Sequence, residues 1–286
     1  MIYKDFGIDV ETLRELRLIQ ELEVIVNSAA TTNFNEMYDV ALNVNVMGVK
    51  HLCNFVKKCP NLEVLLHVST AYVGDDKQGL VQERPFIYDE TLHDGTHLDI
   101  NAEVRLANDL RKQMEASMNP SPKAQRTVMK DLGLARARHF GWPNTYVFTK
   151  SMGEIILGQL LQDERDVPIV IIQPSIITSI LNDPLSGWIE GNRSIHTVVL
   201  VYVKENQTCF LADLGLTMDV TCDANSGPVW VYALFKGCFE DINLNKLRLA
   251  LPNDHGSLFN FDPKTIEWND YFYRVYIPGV IKYMLN

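Results

Sequence analysis

The residues of this chain best suited to chemistry are a phenol and an amine one helical turn apart. Tyr146 and Lys150, in the run Tyr146-Val147-Phe148-Thr149-Lys150, share a helix face because residues four apart are surface neighbours. A cation beside a phenol favours the phenolate, so the phenol can exchange a proton with a carbonyl or carbinol oxygen near neutral pH. The spacing alone is weak evidence. A second copy, Tyr232-Ala233-Leu234-Phe235-Lys236, occurs among the 11 tyrosines of the chain and reads as an ordinary helical pair.

What separates the two copies is the set of elements around the first. Residues 10–23 carry leucines near helical spacing, Val24 to Ala30 form a β-branched run ending in small residues, and residues 38–58 are again helical in pattern. A buried-looking strand over 63–69 follows, and beyond a polar stretch come a helix over 146–161 and a buried parallel strand over 167–174. This is the rhythm of parallel βαβ units, which predicts an α/β fold with a Rossmann-like, doubly wound parallel sheet. Ligands of such sheets bind at the carboxyl ends of the strands. There stand the hydroxyls of Ser69 and Thr70, the small group Asn27-Ser28-Ala29-Ala30, and Gln173-Pro174-Ser175 after the last strand, with Asn45 and Gly48 on the helix between the first two strands. Taken singly, Ser69, Thr70 and Asn27 would be turn residues and Asn45 a surface amide. Their order along the predicted strands brings them to one cleft.

Residues 75–140 interrupt the rhythm with two polar helices around 101–118 and 123–138, expected as an insertion or lid. After Cys222 the run Asp223-Ala224-Asn225-Ser226-Gly227-Pro228 reads as a linker, and residues 229–286 carry aromatic and apolar side chains at helical spacings. Two segments are therefore expected: a nucleotide-binding reductase domain over 1–222 and a small, mainly helical C-terminal segment over 229–286.

The bulk numbers exclude several classes. At 286 residues, 47% hydrophobic and 22% charged, the chain is long enough for one large α/β domain with an appendage. A net charge of -10 argues against a general nucleic-acid binder, which needs a basic footprint. The 5 cysteines lack a C-x-x-C pair, which points to reduced thiols in an intracellular protein and to no zinc site. His93 and His97 have metal-like spacing but no third ligand, so they read as surface histidines. No secretory signal opens the chain, the run from Pro168 to Leu181 is too short to span a membrane, and the absence of a G-x-S-x-G elbow disfavours a serine hydrolase. A peripheral membrane contact stays open.

The ordered set resembles the extended short-chain dehydrogenase/reductases, and more closely the plant-type alcohol-forming fatty acyl-CoA reductases. The resemblance is carried by residues 26–34, by Leu66-His67-Val68-Ser69-Thr70-Ala71-Tyr72-Val73, by Gly141-Trp142-Pro143-Asn144-Thr145-Tyr146, by the Gly187-Trp188-Ile189-Glu190-Gly191-Asn192-Arg193 run and by residues 271–279. It implies NADPH-dependent reduction of a long-chain fatty acyl-CoA to a primary alcohol through a bound aldehyde. On that resemblance Tyr146 donates the proton, Lys150 holds the nicotinamide ribose and tunes Tyr146, Thr70 with Ser69 hydrogen-bonds the substrate oxygen, and Asn45 supports a proton relay. Asn27, Ser28, Ala29, Ala30, Ser69, Tyr146, Lys150, Gln173, Pro174, Ser175 and Ile176 would line the cofactor. No metal is implied.

The chain also departs from that pattern. No glycine-rich turn precedes the Asn27 strand, so the first strands of the family sheet, which carry the NADP-or-NAD choice, are expected to be missing and the Val24 strand to present an open, apolar edge suited to pairing. An internal loss is expected near residues 221–229, and Gln173 stands where many relatives carry Arg. Two alternatives accordingly remain: another extended short-chain reductase or epimerase, and an inactive truncated form that pairs with a full-length relative. The expected location is the cytoplasm or the endoplasmic reticulum, with a plastid left open.

Overall fold

A computed structural model describes residues 7–9, 11–12, 18–74, 79–86, 88–116, 121–160, 167–182, 184–189, 191, 196, 199–200, 204, 237–251 and 265–285. The chain forms two compact units, one of Met1–Asp76 with Arg84–Pro174 and one of Lys77–Glu83 with Ser175–Asn286.

In the first unit a short helix α1 (Leu18–Glu21) leads into β1 (Val24–Asn27), which pairs in parallel with β2 (Val64–Val68), and β2 pairs in parallel with β3 (Ile169–Ile172). The register sets Asn27 opposite His67 and His67 opposite Ile171. The parallel α/β architecture read from the sequence is thus the one formed. The crossover from β1 to β2 runs through α2 (Tyr38–Ala41), a π-helical stretch Leu42–Met47 and α3 (Gly48–Val56) without a break. Leu42, Val46, Val49, Leu52 and Val56 are buried along it, at the three- and four-residue intervals that make one helical stripe.

Two helices from the stretch expected to be an insertion or lid, α4 (Ile100–Ala116) and α5 (Pro122–His139), pack into this unit. Gly133 of α5 lies so near α2 and the following helix that a Cβ there would sit 2.7 Å from Thr145 Oγ1 and 3.1 Å from Tyr38 Cβ. Glu103 of α4 accepts from Arg136 at 2.6 and 3.0 Å and from the Tyr38 hydroxyl at 2.7 Å. A polar pair of helices is held by ion pairs where its apolar content is low.

Helix α6 (Thr145–Leu160) is the centre of the unit. Asn144 Oδ1 accepts from Val147 N at 3.1 Å, filling one of the orphan donors at a helix start. Trp142, fully buried, donates its indole N–H to Val73 O at 2.9 Å. The Trp142-Pro143-Asn144 run therefore anchors and caps the helix that carries Tyr146 and Lys150.

The apolar strands predict burial on both faces, whereas the structure buries one. Leu65, His67 and Asn27 are covered, while Val24 and Val26 of β1 and Val170 and Ile172 of β3 are exposed. Successive side chains of a strand point to opposite faces, and these four all lie on the uncovered side. Among the described residues β1 pairs only with β2, and Val26 is 60% exposed.

In the second unit Gly79–Val81 pairs in parallel with Gly237–Phe239. Helix α7 (Ile242–Ala250) follows. A final helix starts at Trp268–Asp270, passes through a π-helical turn Tyr271–Tyr276 and ends as α8 (Ile277–Met284). Its Tyr271, Tyr276 and Val280 form a core with Ile189 and Leu200. Gly187 has φ +76°, and a Cβ on Gly279 would lie 2.1 Å from Gly187 O. The two glycines permit direct backbone contact between the Gly187-Trp188 turn and α8. The expected linker at 223–228, the expected loss at 221–229 and the pair Tyr232–Lys236 lie outside the described residues.

Candidate active site

From Thr145 to Leu157 every residue of α6 is buried except Tyr146, which is half-exposed and stacks on Phe34 with ring centroids 5.7 Å apart. One turn on, Lys150 is 2% exposed. Its Nζ donates to Val68 O at 2.8 Å and lies 3.4 Å from His67 Nε2, while His67 Nδ1 lies 2.8 Å from the Asn27 amide. The carboxyl ends of β1 and β2 are tied to α6 through these three side chains.

Burial pushes the Lys150 ammonium down to about 8, with the nearby Glu154 carboxylate acting in the opposite direction. Burial, then the charge of Lys150, pushes His67 down to about 3, so its ring is neutral at physiological pH. A neutral imidazole has one N–H. Since Nε2 faces an ammonium it must accept, which puts the proton on Nδ1. The Asn27 amide then belongs with its oxygen towards His67, an orientation that such networks decide and that forfeits only the 3.3 Å bond to Ala29 N.

Ser69 and Thr70 follow β2 and are buried. Ser69 N donates to Ile172 O at 2.7 Å, but its hydroxyl has no hydrogen-bond partner. Among the described residues, Thr70 Oγ1 receives a long 3.5 Å contact from Tyr72 N. Gln173 Nε2 donates to both oxygens of Glu154, each at 3.0 Å. Glu154 is 2% exposed. Burial raises its carboxyl to about 7, against the lowering effects of Ser69, Gln173 and Lys150. The Ser69 hydroxyl thus lies close enough to act on Glu154 without making a bond of normal length.

Contacts join Lys150 through His67 to Asn27 and Gln173 to Glu154, with Ser69 and Thr70 following β2, while Tyr146 stands one turn from Lys150 and stacks on Phe34. Ser28 and Ala29 are exposed and Ala30 half-buried just beyond β1, and Pro174 O accepts from Ala71 N at 3.0 Å. Asn45 sits in the π-helical stretch and is buried rather than on the surface. Its Oδ1 accepts from Thr31 N at 3.0 Å, and its Nδ2 donates to Thr31 O at 3.1 Å and Thr149 Oγ1 at 3.0 Å. The side chain clamps the residue-31 loop to α6. Ser175 and Ile176 fall in the second unit, where Ile176 packs against the aromatic core. Sequence reasoning missed His67 as the neighbour of Lys150 and missed Glu154 altogether, although Glu154 stands at the same four-residue interval from Lys150 as Tyr146 does. His93 Nδ1 lies 3.0 Å from His139 O and His97 3.2 Å from Asp89. No group of three or more metal-type ligands occurs among the described residues, nor any helix long and apolar enough to cross a membrane.

A half-open tyrosine over a buried lysine, at the carboxyl ends of a parallel sheet, defines a Rossmann-like reductase domain. Comparison with known proteins is specific beyond that class. Residues 1–224 match the NAD-binding model of the family described as male sterility protein, and residues 225–286 match a second male sterility protein model, the Sterile domain. The chain is 34% identical to the probable fatty acyl-CoA reductase 4 of Arabidopsis thaliana, over 93% of this chain and 77% of that protein. It is 30% identical to the alcohol-forming fatty acyl-CoA reductase of Simmondsia chinensis over the same shares. The match to the probable fatty acyl-CoA reductase 5 of A. thaliana reaches 46% identity but spans 75% of this chain and only 42% of the relative. The first of these alignments covers 384 positions against a chain of 286 residues, so the relative holds residues without a counterpart here. Among solved structures, the UDP-glucuronic acid 4-epimerase of Bacillus cereus in complex with NAD aligns at 15% identity and a TM-score of 0.38, over 71% of this chain and 45% of that one; at that score the likeness carries no argument. The chain belongs to the male sterility protein family, an NAD-binding family whose plant relatives here are fatty acyl-CoA reductases.

Proposed function

We propose that this chain is an alcohol-forming reductase that takes a long-chain fatty acyl-CoA to a primary alcohol with NADPH. The observation that carries the reading is Lys150, a buried amine one turn from the only half-open residue in the core of α6, in a chain related to fatty acyl-CoA reductases over nearly its whole length. The residues present suit the nicotinamide end of a dinucleotide. Asn27, Ser28, Ala29 and Ala30 offer a small-residue strand end, Gln173 and Pro174 follow β3 in the same unit, and Lys150 offers a cation for ribose hydroxyls. A bound nicotinamide would supply hydride, once to the thioester carbon, whose C–S bond then breaks to release CoA as the thiolate, and once, from a second cofactor molecule, to the resulting aldehyde.

The chain's own groups handle the oxygen. The unpartnered hydroxyl of Ser69 and the loosely held one of Thr70 are donors without strong competing bonds, and donors aimed at a developing oxyanion give much of the rate gain in such reactions. Tyr146 delivers the proton that completes the alcohol, and the charge of Lys150 favours the phenolate left behind. Asn45 holds the residue-31 loop and α6 in register beneath them.

The test is fluorescence titration with NADPH and turnover of palmitoyl-CoA, with Tyr146→Phe and Lys150→Ala alongside. Saturable binding and alcohol production, both weakened by Lys150→Ala, are expected. A folded chain that neither binds nor turns over would leave the second reading, an inactive form that pairs through β1. That reading is supported by the exposed Val24 and Val26 on a strand with one partner and is tested by co-purification with a full-length relative. A peripheral contact with an acidic membrane is supported by α7, which exposes Ile242, Leu247 and Leu249 beside Lys246 and Arg248. Flotation with anionic liposomes tests it and bears on an endoplasmic-reticulum location.

A further inference from the structure

We propose that His67 is a positioning residue of this site: its imidazole, held from behind by Asn27, accepts from Lys150 Nζ and, together with the Val68 carbonyl, fixes the ammonium so that one N–H remains for a ligand hydroxyl. The inference rests on the reductase reading above and adds to it a residue that acts through Lys150.

Position 67 is one that packing alone would give to an apolar residue. Side chains two apart on a strand share a face, so His67 lies on the same face as Leu65, and both are fully buried. A ring with two nitrogens in such a place costs free energy unless both are satisfied. Both are. Nδ1 lies 2.8 Å from the Asn27 amide, across the register that sets Asn27 opposite His67, and Nε2 lies 3.4 Å from Lys150 Nζ. Asn27 and Lys150 are buried as well, so three polar side chains form one chain from β1 through β2 to α6.

The chain has a direction. An ammonium donates and cannot accept, so Nε2 is the bare nitrogen and Nδ1 carries the proton, which the Asn27 oxygen takes. Lys150 Nζ has three N–H groups. One goes to Val68 O at 2.8 Å and one to His67 Nε2. Among the described residues these are its hydrogen-bond partners, which leaves one N–H for the hydroxyl of a bound ribose. Two fixed bonds set where the third N–H points, and a donor already held in place loses less freedom when a ligand arrives. Were the ring present only to join β1 to β2, the Asn27 contact would suffice, and any side chain that keeps that contact would serve as well.

The experiment uses the full chain with isotope-labelled histidine, beside His67→Asn, His67→Gln, Lys150→Met and the double variant of His67→Asn with Lys150→Met. Asparagine sets a polar atom near the place of Nδ1 and keeps the Asn27 contact, whereas glutamine sets its oxygen near the place of Nε2 and keeps the Lys150 contact. In long-range proton–nitrogen correlation spectra at neutral pH, the signals lost in either His67 variant are expected to show a bare Nε2 and a protonated Nδ1, and the Nε2 signal to move in Lys150→Met. An Nε2–H tautomer, or a ring that Lys150→Met leaves unmoved, would overturn the proposal. In NADPH titrations His67→Asn is expected to weaken binding about tenfold, the scale of one hydrogen bond to a charged group at its weaker end, with His67→Gln within about twofold of the wild type. Lys150→Met is expected to cost less in the His67→Asn background than alone, as residues in one network do. Equal losses in the two His67 variants, or additive losses, would assign His67 to packing. If His67→Asn does not fold, His67→Gln supplies the assignment, and the spectra of the wild type and Lys150→Met still decide. The spectra need no cofactor. A chain with the expected tautomer and its response to Lys150→Met that binds no NADPH would therefore sink the reductase reading and leave the His67–Lys150 relation standing.

Discussion

Among the described residues of the second unit, the hydroxyls of the buried Tyr271 and Tyr276 are matched. Tyr271 OH lies 2.5 Å from Thr178 Oγ1 and 2.8 Å from Ser179 Oγ and accepts from Ser179 N at 3.1 Å. Tyr276 OH lies 2.7 Å from His196 Nδ1. In the first unit, by contrast, an ammonium and a carboxyl are buried with largely neutral company, and the Ser69 hydroxyl between strand end and helix has no partner. Buried polar groups cost free energy unless satisfied. A region that satisfies them is built for stability, and one that leaves them short is built for a ligand or for chemistry. The contrast predicts that comparable substitutions will divide: in the first unit they take function, in the second they take stability.

The largest effect is on turnover. Tyr146→Phe is expected to lower acyl-CoA reduction by about 10²–10⁴-fold, the span of a lost acid–base group, with the fold retained because the ring and its stacking on Phe34 remain. Steady-state kinetics beside thermal unfolding checks both halves. The counterpart in the second unit is Gly279→Ala. Its Cβ would meet Gly187 O at 2.1 Å, backbone against backbone, so the structure must shift at a cost of about 3 kcal/mol or more. The expected result is early melting of residues 175–286 by hydrogen exchange, with protection in β1 to β3 retained.

The next effect is one of pH. His67 has its folded value depressed from 6.5 to about 3. It therefore contributes stability that is present above pH 6.5 and is lost as pH falls towards 3. Glu154 has its value raised from 4.5 to about 7, so its contribution is present below pH 4.5 and lost as pH rises through 7. Between pH 4.5 and 6.5 the two slopes oppose each other. Wild-type urea midpoints are expected to vary little across that window, His67→Asn to gain stability on acidification from pH 7 to 4.5, and Glu154→Gln to lose it from pH 6.5 downwards. Parallel curves for all three would break the contrast, because the first unit would then titrate like an ordinary core.

These particulars also show where the sequence was informative. The βαβ order, the Tyr146–Lys150 pair and the hydroxyls after β2 were legible because strand ends and one-turn spacings are local properties. Glu154 carried the same one-turn signal from Lys150 and was passed over, since a charged residue on a helix usually faces water, and only the all-round burial of α6 reverses that expectation. The π-helical stretch Leu42–Met47 left no trace in the pattern, because a single extra residue per turn hardly disturbs a stripe of Leu42, Val46 and Val49. The one-sided burial of the sheet was illegible for another reason. Val24, Val26, Val170 and Ile172 have the composition of a strand covered on both faces, and whether anything covers them depends on elements elsewhere in the chain.

The smallest effects test the contrast most directly, since they remove a single hydroxyl from each unit. Tyr271→Phe leaves the half-buried Thr178 and Ser179 without their shared partner and is expected to cost about 1–2 kcal/mol, as unpaired polar groups do. Ser69→Ala removes a buried hydroxyl with no partner at normal hydrogen-bond distance, so stability is expected to change by less than about 1 kcal/mol. If that hydroxyl exists to meet a substrate oxygen, the same change lowers turnover by roughly ten- to a hundredfold, the scale of one donor to an oxyanion at its weaker end. Denaturant unfolding and kinetics on the two variants decide it. A Ser69→Ala chain that loses stability as Tyr271→Phe does would show that the Ser69 hydroxyl serves the fold, and the division between a reactive unit and a packed one would fail at the residue where it is drawn most sharply.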